Sequence, residues 1–265
     1  MIIDAHVHVH PDRDGMGSGH DARVDSLLRE MDAGPVDRVV LLAEAFDVPY
    51  VKAVSNAFVG RRCLEHPDRF IGFASVHPAD PGAADALREA LDVYPLHGLK
   101  LHPRFQGVAI DDPRVEPLAA LAAERGLPIA VDALLWKPTP LALQMPLRID
   151  GLCKRFPEAR VIVSHAGGFR FLDALALVVA NEHVYLEIST VLRYFLGTPF
   201  EDQFMFVLKK AGARRVIYGS DHPQQPLNAC YAETREALER HGFTDEELRW
   251  IFGRTLLSVL PEAAR

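Results

Sequence analysis

Short runs of β-branched and apolar residues recur along the chain, and stretches with a helical repeat separate them. The runs predict eight strands, at 2–9, 38–44, 70–78, 98–103, 128–133, 160–168, 184–190 and 215–223. Apolar positions spaced as on one face of a helix occupy the intervals, as in 24–34, 113–126, 169–182 and 200–212. Strands that alternate with helices of this length indicate βαβ units and a parallel sheet.

Eight such units in 265 residues favour a closed barrel over an open, doubly wound sheet. Many of the predicted strands end in an ionisable residue, which an open sheet does not explain. We therefore predict an α/β fold, a (β/α)8 TIM barrel with extra C-terminal helices near 226–241 and 245–259. No linker rich in glycine, serine or proline divides the chain, so residues 1–265 are interpreted as one domain.

Composition narrows the range of functions. The chain is 49% hydrophobic and 25% charged, with a net charge of -7. An acidic chain without a basic run is poorly suited to binding nucleic acid or an anionic membrane. The three cysteines are far apart and form no CxxC pair, which favours reduced thiols over a thiolate zinc site. No signal-peptide pattern and no membrane-spanning run is found in the sequence, so we expect a cytoplasmic protein.

The first predicted strand carries two histidines, His6 and His8. Successive side chains of a strand alternate between its faces, so these imidazoles point the same way, into the mouth of the barrel. Two nitrogen donors this close suit one divalent cation such as zinc, at about 2.0–2.1 Å each. Taken alone, the pair is equally well explained as two histidines on a partly exposed strand face.

Other predicted strands also end in ionisable residues. These are Lys100 and His102 on the fourth strand, Asp132 on the fifth, His165 on the sixth and Asp221 on the eighth. In a barrel, the carboxyl ends of the strands form one ring. Because buried charges are costly unless they are paired or bound to a metal, this ring predicts a metal-dependent active site.

The runs IIDAHVHV, GLKLHP, VIVSHAGG and VIYGSDHP, in that order, resemble the amidohydrolase superfamily. The chain is most similar to the amidohydrolase-related branch, which includes aminocarboxymuconate semialdehyde decarboxylase and related lactone hydrolases. The resemblance extends from residue 2 to about 260. It implies a barrel enzyme with a divalent metal, but hydrolysis and decarboxylation would use the same residues.

Residue by residue, the resemblance assigns His6, His8 and Asp221 as metal ligands, with Asp221 also exchanging a proton with water. His165 matches a histidine that polarises the substrate or transfers a proton, and Lys100 matches the lysine of the branch's GxKxxP pattern. Relatives of this branch imply one divalent metal. We expect zinc, with manganese as the alternative.

One of the metal-ligand positions departs from the branch, which normally has a histidine ligand on the fifth strand where this chain has Asp132. Three interpretations are open: Asp132 replaces that ligand, His165 moves in to replace it, or the metal is weakly held. An aspartate is a competent oxygen ligand for zinc and suits manganese or magnesium better. The departure also leaves open a barrel without metal that serves as a binding protein.

We expect metal-dependent hydrolysis of an amide, lactone or ester bond in a small, carboxylated molecule, with non-oxidative decarboxylation as the alternative. Candidates for substrate binding are His102, which shares a strand face with Lys100, Arg104, which follows that strand, and Trp136 in a Pro-rich loop. The expected partner is therefore a small molecule, with neither nucleic acid nor membrane. Dimeric relatives suggest a homodimer.

Overall fold

The barrel is built from parallel strands that follow one another in chain order. The computed structural model describes residues 1–10, 19–48, 52–134 and 139–265. Within these ranges the strands are β1 Ile3–Val7, β2 Arg38–Leu42, β3 Phe70–Ala74, β4 Leu96–Leu101, β5 Ile129–Asp132, β6 Val161–Ser164, β7 Val184–Glu187 and β8 Val216–Ile217. They form one eight-stranded sheet in the order β1 to β8.

The two ends of this sheet meet beside β1. Ala5 N donates to the carbonyl of Tyr218 at 3.0 Å, and Asp221 N donates to the carbonyl of His6 at 2.9 Å. The predicted (β/α)8 TIM barrel is confirmed. The eighth strand was predicted to reach residue 223 but ends at Ile217, because the chain beyond it leaves extended geometry and Asp221 has a φ of 68°.

The α-helices of the described residues pack around the sheet and over one end of it. They are α1 His20–Asp32, α2 Asn56–Glu65, α3 Ala83–Val93, α4 Pro103–Gln106, α5 Glu116–Glu124, α6 Arg148–Arg155, α7 Phe171–Ala180, α8 Val191–Phe195, α9 Phe200–Ala211, α10 Leu227–Arg240, α11 Asp245–Arg249 and α12 Thr255–Val259. In the part of the chain that the structure describes, none of the helices is both long and apolar enough to cross a membrane.

Two apolar clusters hold these layers together. The larger one lies between the strands and the surrounding helices, and it includes Leu41, Leu99 and Leu208. The smaller one lies inside the barrel. In it, Leu256 and Val259 of α12 pack against the inward-facing residues of several strands. Among the C-terminal helices, α12 thereby closes one end of the barrel interior.

The inward positions of the strands change character along the barrel axis. Inward positions recur every second residue of a strand. Toward the carboxyl ends, a buried apolar residue is followed two positions later by a buried polar one, as in Leu42 to Glu44, Phe73 to Ser75, Ala130 to Asp132 and Ile162 to Ser164. The polar half of the interior is therefore the carboxyl-terminal mouth, where barrel active sites are found.

Candidate metal centre

Three side chains converge at the junction of β1 and β8. His6 Nε2 lies 3.1 Å from His8 Nε2, and Asp221 Oδ1 lies 3.7 Å from His6 Nε2 and 3.3 Å from His8 Nε2. All three residues are buried. Donors at about 2.0–2.1 Å from a tetrahedral cation would lie about 3.3 Å apart, so this donor set fits a single ion of the size of zinc.

An irregularity in β1 brings both histidines to the mouth. Asp4 pairs with Val39 of β2, and Val7 pairs with Leu41. Because three residues of advance along β1 lie opposite two along β2, β1 contains one extra residue between these pairs. Such a bulge redirects the side chains that follow it. Asp4 Oδ1 accepts hydrogen bonds from the backbone N–H groups of His6 at 3.0 Å and Ser220 at 2.9 Å. This carboxyl therefore joins the bulge to the segment that carries Asp221.

Asp221 is held by its own local structure. It has a positive φ of 68°, and Thr190 Oγ1 donates to its Oδ2 at 2.6 Å. Burial opposes ionisation of Asp221, but the hydrogen bond from His8 and the nearby His6 outweigh burial and hold its pKa below the usual value. One carboxylate oxygen thus faces the histidines while the other is fixed by a hydroxyl.

Each histidine of this group is backed by a buried carboxylate. His6 Nδ1 lies 2.7 Å from Glu187 Oε2, a hydrogen-bond distance, and donation through Nδ1 leaves the Nε2 lone pair free for a cation. His8 Nδ1 lies 3.2 Å from Glu44 Oε1. Burial lowers the pKa of His8, but Glu44 and Asp221 raise it more, to about 9. The surroundings of His8 therefore favour a positive charge, which a bound cation would supply.

A second group of ligand atoms involves His6, His165 and Glu187, which also lie within 4.8 Å of one another. We interpret this group as a hydrogen-bonded network, because Glu187 already accepts from His6 and from Ser189 Oγ at 3.0 Å. His165 Nδ1 contacts the same Ser189 hydroxyl at 3.0 Å. The stretch from His165 to Gly168 has positive φ throughout, and this turn brings the imidazole over the mouth.

The remaining predicted site residues lie around Asp132. Asp132 contacts Arg104, His102 and His165, and among the described residues neither group of candidate ligand atoms includes it. Lys100 Nζ donates to Ser164 Oγ at 3.0 Å. Burial lowers the pKa of Lys100, although nearby carboxylates oppose this. Trp136 lies outside the described residues, so its predicted contact with substrate stays a prediction.

Side chains that contact the candidate centre but were not identified from the sequence include Glu44, Ser189 and Thr190. Glu44 could have been found from the strand period, since it lies two residues beyond the inward-facing Leu42. Ser189 is likewise two residues beyond Glu187 on β7. Thr190 carries no such signal, because its placement depends on an unusual φ of 60°.

A closed parallel barrel with ionisable side chains at its carboxyl-terminal mouth is the architecture of TIM-barrel enzymes. The chain belongs to the amidohydrolase family, whose profile matches residues 3–255. The superfamily indicated by the sequence motifs is therefore confirmed. No curated protein sequence matches the chain significantly.

Solved structures with the same fold cover nearly the whole chain. An uncharacterized TIM-barrel protein from Bordetella bronchiseptica has a TM-score of 0.81 and 20% identity, with 100% of this chain and 99% of that chain covered. The 5-carboxyvanillate decarboxylase of Sphingomonas paucimobilis has a TM-score of 0.69 and 15% identity, covering 97% and 98%. A probable 2-pyrone-4,6-dicarboxylic acid hydrolase from Acinetobacter baumannii, solved with citric acid bound, has a TM-score of 0.67 and 18% identity, covering 97% and 98%.

Proposed function

We propose that this protein is a metal-dependent hydrolase that cleaves an amide, lactone or ester bond in a small, carboxylated molecule. The observation that carries the proposal is the convergence of His6 Nε2, His8 Nε2 and Asp221 Oδ1 within 3.7 Å of one another in a buried mouth. These three residues would hold one divalent cation, with zinc as the first choice and manganese as the second.

A divalent cation in this centre supplies Lewis acidity and favours ionisation of water. Asp221 is the residue placed to accept the proton, because one of its oxygens faces the two histidines of the centre and Thr190 fixes the other. General-base assistance of this kind contributes about 10²–10⁴-fold in rate. Glu187 is placed to accept a hydrogen bond from Nδ1 of His6, which would leave the Nε2 lone pair pointing into the centre.

His165 and Lys100 are the candidates for stabilising negative charge that develops on the substrate. Both are buried at the mouth, and Lys100 is anchored by its bond to Ser164. Donors already oriented in a buried site stabilise developing charge better than mobile groups in water. A carboxylated substrate is supported by these cationic and imidazole groups, and by the carboxylic acids named for the hydrolase and decarboxylase of the same fold.

The metal is tested by elemental analysis of the purified protein after dialysis. We expect close to one equivalent of a divalent ion per chain, and loss of that ion in His6→Ala and Asp221→Asn protein that still folds. A matched control is Asp202→Asn, because its carboxylate is 91% exposed on α9. A wild-type protein that holds no ion, and whose activity and melting temperature do not respond to added zinc or manganese, would support a metal-free binding protein instead.

Non-oxidative decarboxylation is the second candidate, because decarboxylases have this fold as well as a lactone hydrolase. In that reaction a substrate carbon accepts a proton as carbon dioxide leaves. The metal-loaded protein should be incubated separately with dicarboxylated pyrone lactones and with hydroxylated aromatic carboxylic acids. Ring opening without carbon dioxide supports the hydrolase, whereas carbon dioxide release from the aromatic acids supports the decarboxylase.

A further inference from the structure

Asp132 is the position at which this chain departs from its branch, and its surroundings indicate a different role from that of a ligand. It ends β5, and its side chain is fully buried at 0% exposure. A carboxylate in such a place is stable only if positively charged groups or hydrogen-bond donors surround it. The contacts of its two oxygens therefore indicate what it does.

Arg104 provides the main compensation for this charge. Its Nη2 donates to Asp132 Oδ2 at 3.3 Å, and its Nε lies 2.9 Å from Oδ1, although the angle at Nε is poor for a hydrogen bond. The guanidinium also lies over the ring of Phe105, 4.4 Å from its centroid. Arg104 is thus fixed by its neighbours, and it is 8% exposed at the side chain.

Two imidazoles complete the surroundings of Asp132. His165 Nε2 lies 3.2 Å from Oδ2, and His102 Nε2 lies 3.4 Å from the same oxygen. The other nitrogen of His165 contacts Ser189 Oγ. The ring of His165 is therefore held at both ends, by a hydroxyl on one side and by the Asp132 carboxylate on the other.

These contacts oppose a ligand role for Asp132. Oδ2 is surrounded by a guanidinium nitrogen and two imidazole nitrogens, and Oδ1 lies next to the same guanidinium. A cation on either oxygen would be placed beside the positive charge of Arg104, which costs free energy in a buried site. The cluster of His6, His8 and Asp221 already brings three ligand atoms together without it.

We propose that Asp132 is a positioning residue that fixes the ring of His165 and the guanidinium of Arg104, and that it does not ligate the metal. The inference rests on the proposed function, because it assigns His165 a part in the reaction. It also revises the expectation that Arg104 is free to bind substrate. In this chain the fifth strand then contributes an anion that organises the mouth. The proposed metal ligands come from β1, from the residue that follows it and from the segment after β8.

The experiment compares Asp132→Asn with wild-type protein loaded with zinc. We expect metal content and zinc affinity to stay within about tenfold of wild type, which is the smallest effect typical of residues that surround a metal site without binding the metal. Zinc affinity is measured by competition with a chelator. The value of kcat should fall by about 10²-fold or more, since an acid–base or polarising group is misplaced, while KM changes much less. Asp111→Asn is the matched control, because it breaks a carboxylate–arginine pair with Arg148 elsewhere on the chain.

Removing the carboxylate leaves the charge of Arg104 buried without a partner, so Asp132→Asn is at risk of misfolding. The double variant Asp132→Asn/Arg104→Met removes both charges and keeps the test decisive. ¹⁵N NMR of histidine-labelled protein, assigned with His165→Gln, provides a readout independent of turnover. We expect the Nε2 signal of His165 in both Asp132 variants to differ from that of wild-type protein, because the contact of Nε2 with Asp132 Oδ2 is altered.

The outcomes separate the two proposals. Loss of zinc from folded Asp132→Asn under conditions in which wild type retains it would show that Asp132 is a ligand, and the proposed function would stand. Full kcat with an unchanged His165 signal would overturn the positioning role. A wild-type protein that binds no divalent ion would instead contradict the proposed function itself.

Discussion

The half of the barrel interior toward the amino ends of the strands, here the lower half, contains Ile71, Phe73 and Ile162. The half toward the carboxyl ends, which forms the mouth and is here the upper half, contains Lys100, Asp132 and Glu187. Both sets lie on inward-facing positions and both are buried. The lower set stabilises the fold, at about 25 cal/mol for each Å² of apolar surface removed from water. The upper set is costly to bury and is retained only through pairing.

The two halves therefore differ in what their residues do for the molecule. In the lower half, shape and volume determine stability, and α12 closes the end by adding Leu256 and Val259. In the upper half, each buried charge has opposite charges or hydrogen-bond partners, as Glu187 has in His6 and Ser189. Substitutions in the upper half should reduce function, and they should also reduce stability where a buried partner charge is left unpaired, as in Asp132→Asn. Substitutions in the lower half should reduce stability and leave function largely unchanged.

The largest effect is expected for Asp221→Asn in the upper half. Turnover should fall at least about 10³-fold, because the proposed proton acceptor and one metal ligand are both lost. The melting temperature of the metal-free protein should fall by no more than a few degrees, because asparagine keeps the shape of the side chain, tolerates the positive φ and can still accept the hydrogen bond from Thr190. Assays of kcat and calorimetry of the same preparation measure both, and Asp202→Asn provides a surface control. Collapse of the fold in Asp221→Asn would contradict the division.

In the lower half, Phe73→Ala should reduce the free energy of unfolding by about 3–5 kcal/mol, because Phe73 is 1% exposed and its removal leaves a cavity. The melting temperature should fall by on the order of 10 °C. The kcat of the folded fraction, measured well below that temperature, should change little. Phe206→Ala is the matched control, since Phe206 is 53% exposed on α9. A large loss of kcat without loss of stability would contradict the assignment of this half.

The sequence was sufficient to predict the architecture, because strand and helix periods are local properties. All eight predicted strands were found, in the predicted order. Alternation along the first strand placed His6 and His8 on one side, and their Nε2 atoms lie 3.1 Å apart. Alternation alone, however, does not reveal the extra residue of β1.

The pairing within the upper half could not be predicted, because it joins residues far apart in the chain. His6 and Glu187 are 181 residues apart, and Arg104 and Asp132 are 28 apart. Such contacts depend on the turns after the strands, and His165, Thr190 and Asp221 all have positive φ where most side chains are disfavoured. The sequence therefore showed which residues reach the mouth but not which of them bind one another.

Glu187→Gln tests a carboxylate of the upper half that contacts a proposed metal ligand without being one. We expect an intermediate effect on zinc binding. Glu187 orients His6 through a 2.7 Å contact, so its replacement should weaken zinc binding by about 10–100-fold. Chelator competition measures the change. Glu182→Gln is the control, because Glu182 lies at the surface just before β7. An unchanged zinc affinity would mean that Glu187 serves the fold and not the metal centre.

The smallest effect is expected at Thr190, whose hydroxyl donates to Asp221 Oδ2 at 2.6 Å. Thr190→Val keeps the shape but removes the donor, and a hydrogen bond to a charged group is worth about 1.5–3 kcal/mol. Part of this loss should appear in kcat, as a decrease of about tenfold, with metal content unchanged.

Thr190→Ser distinguishes the hydroxyl from the methyl group. Thr190 has a φ of 60°, which is unfavourable for a β-branched residue, so serine keeps the donor and relieves strain. We expect Thr190→Ser to retain most of the wild-type kcat and to be at least as stable. If serine and valine reduced kcat equally, packing of the methyl group, and not the bond to Asp221, would be what this position contributes. Thr190 would then contribute through packing, as the residues of the lower half do, although it lies in the upper half.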